Sequence, residues 1–200
     1  MTMLGVLWKD RGNSAEEKQA RFESLMRSTY RQAFSFATKL TGNSAEAEDL
    51  VQETYVRAFR FFHRFDESLP FTNWLYRIMS NAHIDQVRRK QRIKTNSFEQ
   101  TTANGVSTLD VPDPAATVDR VLVDEAMGEH VTAALATMTP EFRTAVLLAD
   151  VEGMAYEEIA DVMNTSVGTV RSRIHRGRKQ LRKHLVRHAP EVYGGMENDL

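Results

Sequence analysis

The residues best suited to binding chemistry form a basic run near the end of the sequence. Between Arg171 and Arg187 there are eight lysines or arginines and no acidic residue. Such charges neutralise nucleic acid phosphates, and a guanidinium group can also hydrogen-bond to guanine in the major groove. On a helix, at about 100° per residue, one polar face of the segment that includes this run contains Gly168, Ser172, His175, Arg176 and Lys179, with Arg171 beside it. Charge alone is equally consistent with a solvated basic helix that binds nothing.

The segment before this run predicts a helix-turn-helix, which would hold the basic helix away from the protein body. Residues 156–163 form a short amphipathic helix, residues 164–166 form a turn, and Ser166 can cap the next helix. The buried side of the second helix is predicted to consist of Val170, Ile174, Gly177 and Leu181, packed against Ile159 and Met163. The turn, the packing stripe and the basic face agree, so together they favour DNA binding over the solvated alternative.

A second basic stretch, residues 88–94, is predicted to end a helix in the first half of the chain. Phe71, Trp74, Asn81 and Asp85 lie upstream of it. Aromatic rings stack on unstacked bases and amides pair with base edges, so this group suits a single strand. We expect Trp74 to belong to the core, whereas Phe71, at the edge of a loop, is the better candidate for a base contact.

The preceding helix has an acidic face instead. Glu46, Asp49 and Glu53 lie together on it, with Gln52 beside them. Such a face could dock on a basic protein surface, although a solvated acidic face is the usual explanation.

Several classes of function are unsupported by the composition. The chain has no cysteine, which excludes disulfides, cysteine-ligated zinc and thiol redox chemistry. His184 and His188 have a spacing that can serve a metal, but no nearby acid completes a site, so we expect surface histidines and no metal or cofactor. No nucleophile–base constellation suggests an enzyme. No apolar run approaches the roughly 20 residues that span a bilayer, and the start does not resemble a signal peptide, so we expect a soluble, cytoplasmic protein.

Apolar residues recur at helical spacing throughout, without strand-like alternation, and predict an all-α fold. The expected helices cover residues 22–40, 44–62, 72–90, 118–136 and 141–150, followed by the helix-turn-helix. Asn43 can cap the second helix in a capping box with Glu46, and Thr139 can cap the fifth, with Pro140 at its first position.

The chain is predicted to contain two small helical domains joined by a flexible acidic linker. A domain at 21–95 follows an N-terminal extension (1–20), and a second domain covers 124–188 before a frayed tail (189–200). The linker, 96–123, is rich in Thr, Ser, Asn, Gly and Pro, and from Glu99 to Glu129 there are seven acidic residues and one arginine.

Several motifs, taken in order, resemble the extracytoplasmic-function (ECF) sigma factors of the sigma-70 family. Residues 49–59 resemble sigma region 2.2, and residues 73–78 with Asn81, Asp85 and Arg88-Arg89 resemble regions 2.3 and 2.4. Residues 139–143, Glu152-Gly153, 156–160 and 168–176 resemble region 4. The resemblance covers about residues 20 to 188.

The resemblance implies that the chain binds core RNA polymerase, through its beta and beta-prime subunits, and promoter DNA. The residues implied for polymerase binding are Asp49, Leu50, Gln52 and Glu53. Those implied for the minus-10 strand are Phe71, Asn81, Asp85, Arg88 and Arg89, together with the loop at 63–71. Those implied for the minus-35 element are Thr169, Arg171, Ser172, Arg173, His175, Arg176 and Lys179. The linker would run toward the polymerase active-site and RNA-exit channel, and an anti-sigma factor would hold the protein inactive until a stress response.

Two other functions compete with this interpretation. A stand-alone helix-turn-helix regulator, binding duplex DNA as a dimer, explains the second half of the chain but leaves the first half without a role. A nucleic-acid enzyme would need metal ligands or an acid–base pair, and the sequence offers neither. Dependence of DNA binding on core polymerase separates a sigma factor from a regulator.

Overall fold

The computed structural model describes the backbone of residues 3–100 and 128–195 and the side chains of residues 16–93 and 128–195. Every regular element in these residues is a helix, which confirms the predicted all-α fold. The first half contains α1 (Met3–Thr41), α2 (Ser44–Phe61), a 3₁₀ turn (Phe62–Arg64) and α3 (Phe71–Gln100). The second half contains α4 (Glu129–Ala136), α5 (Pro140–Val146), a π-helical segment (Leu147–Val151), α6 (Tyr156–Val162), α7 (Val167–His188) and α8 (Pro190–Tyr193).

The helices of the first half pack around large apolar side chains. The fully buried members include Phe36, Leu40, Leu50, Leu75 and Met79. After α1, Gly42 adopts a φ of 71°, and the Asn43 side-chain oxygen accepts the Glu46 N–H at 3.0 Å, which confirms the predicted cap of α2. The Glu46 carboxylate pairs with Lys90 Nζ at 2.8 Å instead of completing a capping box.

An aromatic cluster packs against the loop that follows the 3₁₀ turn. The Phe22 ring meets the Phe62 and Phe71 rings edge to face, at centroid distances of 5.2 and 6.0 Å. The Phe65 ring lies 5.3 Å from that of Trp74. Each such pair contributes about 0.5–1.5 kcal/mol beyond area burial, so the cluster fixes the loop against α1 and α3.

In the second half, α7 crosses α5 at very short range. Leu147, Leu148, Ile159 and Ile174 are the large, fully buried side chains of this half. A Cβ atom at Gly177 would lie 2.6 Å from Val146 Cγ2 and 3.3 Å from the Phe142 carbonyl oxygen. Glycine is therefore required at this crossing.

The structure corrects several boundaries in the first half. α1 begins at Met3, so residues 3–20 are helical and continuous with the helix predicted from residue 22. α3 extends past the predicted end at Lys90 to Gln100, into the predicted linker. Lengthening an existing helix is far easier than starting one, so a polar segment can extend α3. The rest of the predicted linker, and the helix start predicted at residue 118, lie outside the described residues.

Three details of the second half also differ from prediction. Thr139 occupies the N-cap position of α5, but its side chain makes no capping hydrogen bond. The helix predicted over 141–150 becomes π-helical at Leu147, whose carbonyl accepts the Glu152 N–H at 3.0 Å. The tail predicted to be frayed contains α8, which begins at Pro190, a residue suited to the first helical position.

The two halves pack against each other. α3 contacts α5 and α6, and α1 contacts α4, α5 and the π-helical segment. Buried apolar residues from both halves form one continuous cluster. At this junction the Asn73 amide donates to Glu158 Oε1 at 3.0 Å. The sequence predicted two tethered domains, and in the structure these domains share an interface.

Candidate nucleic-acid interface

α6 and α7 form the predicted helix-turn-helix, and local hydrogen bonds hold the turn between them. The Thr165 N–H donates to the Ala160 carbonyl at 2.9 Å, and Asn164 adopts a φ of 48°, a left-handed conformation that asparagine tolerates. Ser166 Oγ then accepts the Thr169 N–H at 3.1 Å. The predicted cap of α7 is therefore confirmed, and it fixes the direction in which α7 leaves the turn.

α7 exposes a polar, basic face along the predicted line. The exposed residues on this face are Arg171, Ser172, His175, Arg176 and Lys179. The other two predicted contact residues, Thr169 and Arg173, are half-buried, and the Thr169 hydroxyl lies 2.9 Å from Ser166 Oγ. Arg178 belongs to a different face, where its Nε donates to Asp150 at 3.0 Å and this bond raises the pKa of the guanidinium. The exposed face can therefore contact phosphates and base edges without rearrangement of α7.

α3 places most of the predicted minus-10 residues at its surface. Asn81, Asp85, Arg88 and Arg89 are exposed. The Arg88 guanidinium is engaged by Glu141 of α5, at 2.9 Å. The prediction for Phe71 is wrong: its side chain is only 6% exposed and packs edge to face on Phe22, so it cannot stack on a base in this structure.

A cavity of about 220 Å³ lies beside the loop that follows the 3₁₀ turn. The first half contributes Arg64, Phe65, Asp66, Leu69, Asn73, Trp74 and Arg77, and α6 contributes Glu158, Asp161 and Val162. Trp74, expected in the core, packs against it but is only partly buried, and it also lines this cavity. Phe65 lies in the loop at 63–71 that the resemblance implies for the minus-10 strand, although this residue was not singled out within the loop; an aromatic residue beside Arg64 was an available signal.

The loop at the cavity is held in shape by its own side chains. Asp66 accepts hydrogen bonds from the Ser68 N–H at 2.9 Å and from the Ser68 hydroxyl at 2.7 Å. These bonds lower the pKa of the Asp66 carboxyl. An ion pair between Glu67 and Arg21 ties the loop to α1. The loop is therefore ordered before any ligand binds.

The acidic face of α2 is only partly as predicted. Asp49 and Gln52 are exposed, whereas Glu53 is half-buried, pairs with Arg57 and accepts from Gln86 Nε2 at 2.6 Å. The prediction that Leu50 contacts a partner is wrong, because its side chain is 0% exposed and belongs to the core. Val56 and Phe59, exposed at 59% and 45%, extend this face with apolar surface that the sequence analysis did not single out.

Comparison with known proteins agrees with this arrangement. Residues 25–93 match the family model of sigma-70 region 2, and residues 129–181 match that of sigma-70 region 4. The chain is 32% identical over 154 residues to the ECF RNA polymerase sigma factor SigW of Bacillus subtilis, covering 76% of this chain and 82% of SigW. The chain belongs to the ECF sigma factors. The stand-alone regulator is therefore not favoured.

Two further relatives of this ECF sigma factor are informative. It is 39% identical over 171 residues to the ECF RNA polymerase sigma factor SigE of Mycolicibacterium smegmatis, which covers 86% of the chain but only 64% of the length of SigE. The sigma factor RpoE of Bartonella quintana, solved in complex with the anti-sigma factor NepR, is 25% identical with a TM-score of 0.62. That match covers 82% of this chain and 96% of RpoE.

Two basic groups of the sigma factor are buried where its halves meet. Arg143 of α5 is 9% exposed, and this burial lowers the pKa of its guanidinium. His83 of α3 is 4% exposed, and burial, followed by the charge of Arg143, lowers its pKa to about 4. His83 is therefore neutral near neutral pH, and neither group is available to DNA in this arrangement.

The described part of this sigma factor offers no metal site and no membrane span. No group of three His, Cys, Asp or Glu side chains within it could hold a metal ion, and no helix in it is long and apolar enough to cross a membrane. The rings of His184 and His188 stack with centroids 4.0 Å apart.

Proposed function

We propose that this ECF sigma factor directs core RNA polymerase to promoters whose minus-35 element is read by α7. The observation that carries this proposal is the exposed basic face of α7. Ser166 caps this helix, and at Gly177 it packs closely against α5. Arg171 and Arg176 supply guanidinium groups that suit guanine edges and phosphates. Ser172 and His175 lie between them on the exposed surface and can contribute further base contacts.

The minus-10 strand is assigned to α3 and the loop beside it. Asn81 and Asp85 offer hydrogen-bonding groups, and Arg89 offers charge for the backbone. Phe65 and Trp74 give the adjacent cavity aromatic surface, on which unstacked bases of a single strand can lie. This assignment replaces Phe71 with neighbouring rings whose surface is accessible.

The face of α2 is assigned to core polymerase. Asp49 and Gln52 supply charge and hydrogen bonds, and Val56 and Phe59 supply apolar area. A surface with an apolar centre and polar edges is typical of protein–protein interfaces. Glu53 contributes by orienting Arg57 and Gln86 more than by direct contact.

Regulation by an anti-sigma factor is part of the proposal. RpoE of Bartonella quintana binds NepR, and its fold covers most of this chain. A partner that masks the α2 face would prevent assembly with polymerase. We further propose that the chain acts in the cytoplasm, where its polymerase partner is, and has no catalytic activity of its own.

Run-off transcription tests the proposal. Core RNA polymerase is incubated with a pool of genomic promoters, with and without the sigma factor. We expect discrete transcripts that require both proteins, and aligned upstream sequences that reveal the two elements. Arg171→Ala with Arg176→Ala should reduce these transcripts about 10- to 100-fold, as for loss of two good base contacts, whereas exposed Arg31→Ala with Arg27→Ala on α1 should not. Retardation of duplex DNA by the protein alone, with no transcript, would support the regulator instead.

A further inference from the structure

We propose that a cavity beside the C-terminal end of α7 binds a compact anion that carries phosphate groups. The cavity has a volume of about 260 Å³ and is lined by the end of α7 and by the connection from α4 to α5. We call it the basic cavity. None of its lining residues is assigned above to promoter DNA or to polymerase, so the inference goes beyond the proposed function.

The full charges that line the basic cavity are all positive. Lys183 and Arg187 are exposed and lie four residues apart on one side of α7. No acidic side chain lines the cavity, and no carboxylate among the described side chains forms an ion pair with either residue. Arg178 of the same helix, by contrast, is paired with Asp150. The ammonium and guanidinium groups of the cavity are therefore available to a phosphate group.

Two histidines add to this positive surface. His184 and His188 both line the cavity, and their rings stack with centroids 4.0 Å apart. His188 Nδ1 donates to the His184 carbonyl at 2.9 Å, so Nε2 is the nitrogen of this ring that is left for a ligand. Burial, and then the charges of His188 and Arg187, lower the pKa of His184. An anion in the cavity would offset this repulsion between neighbouring positive charges.

Neutral groups supply further hydrogen-bond donors to the cavity. Thr139 occupies the N-cap position of α5, but its side chain makes no capping hydrogen bond, so its hydroxyl is able to donate to a ligand. The amide of exposed Gln180 can donate as well. Thr137 differs, because its hydroxyl already donates to the Ala134 carbonyl at 2.7 Å. Cations, hydroxyls and amides are the groups that proteins use to bind phosphate oxygens.

The shape and charge of the cavity together favour a small anion. Its volume far exceeds the ~30 Å³ that one water occupies in the liquid, and its walls come from two segments that are distant in sequence. Donors can therefore reach a ligand from more than one side. Lys183 and Arg187 would repel a metal cation at the two histidines, so the lining suits an anion instead.

A phosphate group can reach this cavity from two sources. One is a free solute, such as pyrophosphate or a nucleotide. The other is the backbone of promoter DNA, because Lys183 and Arg187 follow Lys179 at steps of four residues and continue the same side of α7. Arg187 lies about 12 Å along the helix axis from Lys179. The two sources differ in whether loss of the cavity's charges weakens promoter binding.

Calorimetry on the full chain tests the site. Sodium pyrophosphate is titrated into the protein at constant ionic strength, without divalent cations. The test variant, Lys183→Gln with Arg187→Gln, removes two charges at exposed positions of the cavity. The matched control, Lys179→Gln with Arg176→Gln, removes one lysine and one arginine from exposed positions of the same helix outside the cavity. Circular dichroism verifies that each variant keeps its helices, and Lys183→Gln alone replaces a test variant that has lost them.

We expect the unmodified protein to bind one pyrophosphate per chain saturably, and the control to bind it within about twofold of the same affinity. The test variant should bind about tenfold more weakly, as for loss of two charge-assisted contacts. In nuclear magnetic resonance spectra, pyrophosphate should shift the ring signals of His184 and His188 but not that of His63, which lies in the first half.

Three outcomes would overturn the inference. Basic residues near a helix C-terminus also stabilise the helix dipole, and absence of saturable binding would mean that Lys183 and Arg187 have this role alone. Equal weakening in the test and control variants would reflect general attraction to a basic helix. Saturable binding that leaves the ring signals of His184 and His188 unchanged would place the ligand elsewhere.

Promoter binding distinguishes the two sources of phosphate. The affinity of polymerase assembled with each protein is measured on one promoter fragment from the run-off experiment, over a range of salt concentrations. If the cavity takes a free solute, the test variant binds the promoter like the unmodified protein. If it takes a backbone phosphate, affinity falls and the slope of log affinity against log salt becomes shallower by about 1. Absence of transcripts with the unmodified protein rejects the proposed function, whereas the pyrophosphate titration, which needs no polymerase, decides this inference separately.

Discussion

Arg143 of α5 donates a hydrogen bond to the backbone carbonyl of Leu40 in the last turn of α1, so a residue of the second half satisfies a helix end in the first. The same guanidinium donates to the carbonyls of Ala136 at 2.8 Å and Met138 at 3.4 Å. One buried side chain therefore orders the connection between α4 and α5 and ties it to α1.

Replacement of Arg143 should destabilise the protein strongly. Arg143→Met keeps a long side chain but leaves the carbonyls of Leu40, Ala136 and Met138 without this donor, two of them at buried hydrogen bonds, so the free energy of unfolding should fall by about 2–4 kcal/mol. Urea denaturation followed by circular dichroism measures the change. Arg187→Met, at an exposed position of α7, is the matched control and should stay within about 0.5 kcal/mol. If both variants lose the same free energy of unfolding, the hydrogen bonds of Arg143 do not stabilise the protein.

The close crossing at Gly177 predicts a second, independent stability effect. Gly177→Ala would place a methyl group 2.6 Å from Val146 Cγ2 and 3.3 Å from the Phe142 carbonyl oxygen. The shift of neighbouring atoms that relieves this overlap should lower the free energy of unfolding by about 1–3 kcal/mol. Gly168→Ala provides the control on the same helix, because its nearest neighbour, Ser166 Oγ, would be 3.9 Å away. A thermal melt that shows Gly177→Ala as stable as Gly168→Ala would contradict the proposed role of the crossing.

Local signals in the sequence predicted the helix-turn-helix well. Ser166 and Asn43 are predictable as caps because capping depends on residues within one turn. The exposed basic face of α7 followed from helical geometry, since charged residues and the apolar stripe through Val170 and Ile174 lie on opposite sides.

Contacts between distant segments could not be predicted in the same way. Phe71 lies next to a loop, but Phe22, far away in sequence, covers its ring. Leu50 lies between acidic residues, yet its position on α2 points into the core. The contact of Arg88 with Glu141 depends on how the two halves pack, and local sequence patterns carry no signal for that packing.

The buried histidine makes stability depend on pH. The pKa of His83 is lowered to about 4, whereas an unfolded histidine titrates near about 6.5. Between these values the unfolded chain binds more protons, so stability rises with pH across this window and is lost on acidification. From about pH 7.5 to about pH 5, His83 alone should account for a loss of about 2 kcal/mol.

Urea denaturation at both pH values measures this effect. Between the two pH values, the free energy of unfolding of His83→Gln should fall by about 2 kcal/mol less than that of the unmodified protein. This difference is expected whatever the stability of the variant at the higher pH. His63→Gln, at an exposed histidine of the 3₁₀ turn, should leave the pH dependence unchanged. If His83→Gln and the unmodified protein lose equal stability on acidification, the destabilisation arises from other groups.

The face of α2 predicts a separable defect in polymerase assembly. Asp49→Arg with Gln52→Ala reverses the charge and removes the amide at two exposed positions without touching buried Leu50. Like-charge contact with a basic partner surface should weaken core binding by about 2 kcal/mol, or about 30-fold. Fluorescence anisotropy of labelled sigma factor titrated with core polymerase measures this affinity.

Glu191→Arg with Gln180→Ala is the control for that experiment, because it makes the same chemical changes at exposed positions of the second half. We expect the control to bind core polymerase within about twofold of the unmodified protein, as is usual for surface substitutions outside an interface. Unchanged binding by the α2 variant would remove Asp49 and Gln52 from the docking surface and leave Val56 and Phe59 as its candidates. Equal weakening in both variants would indicate a general electrostatic effect, because a specific contact at α2 cannot sense a change on α7 and α8.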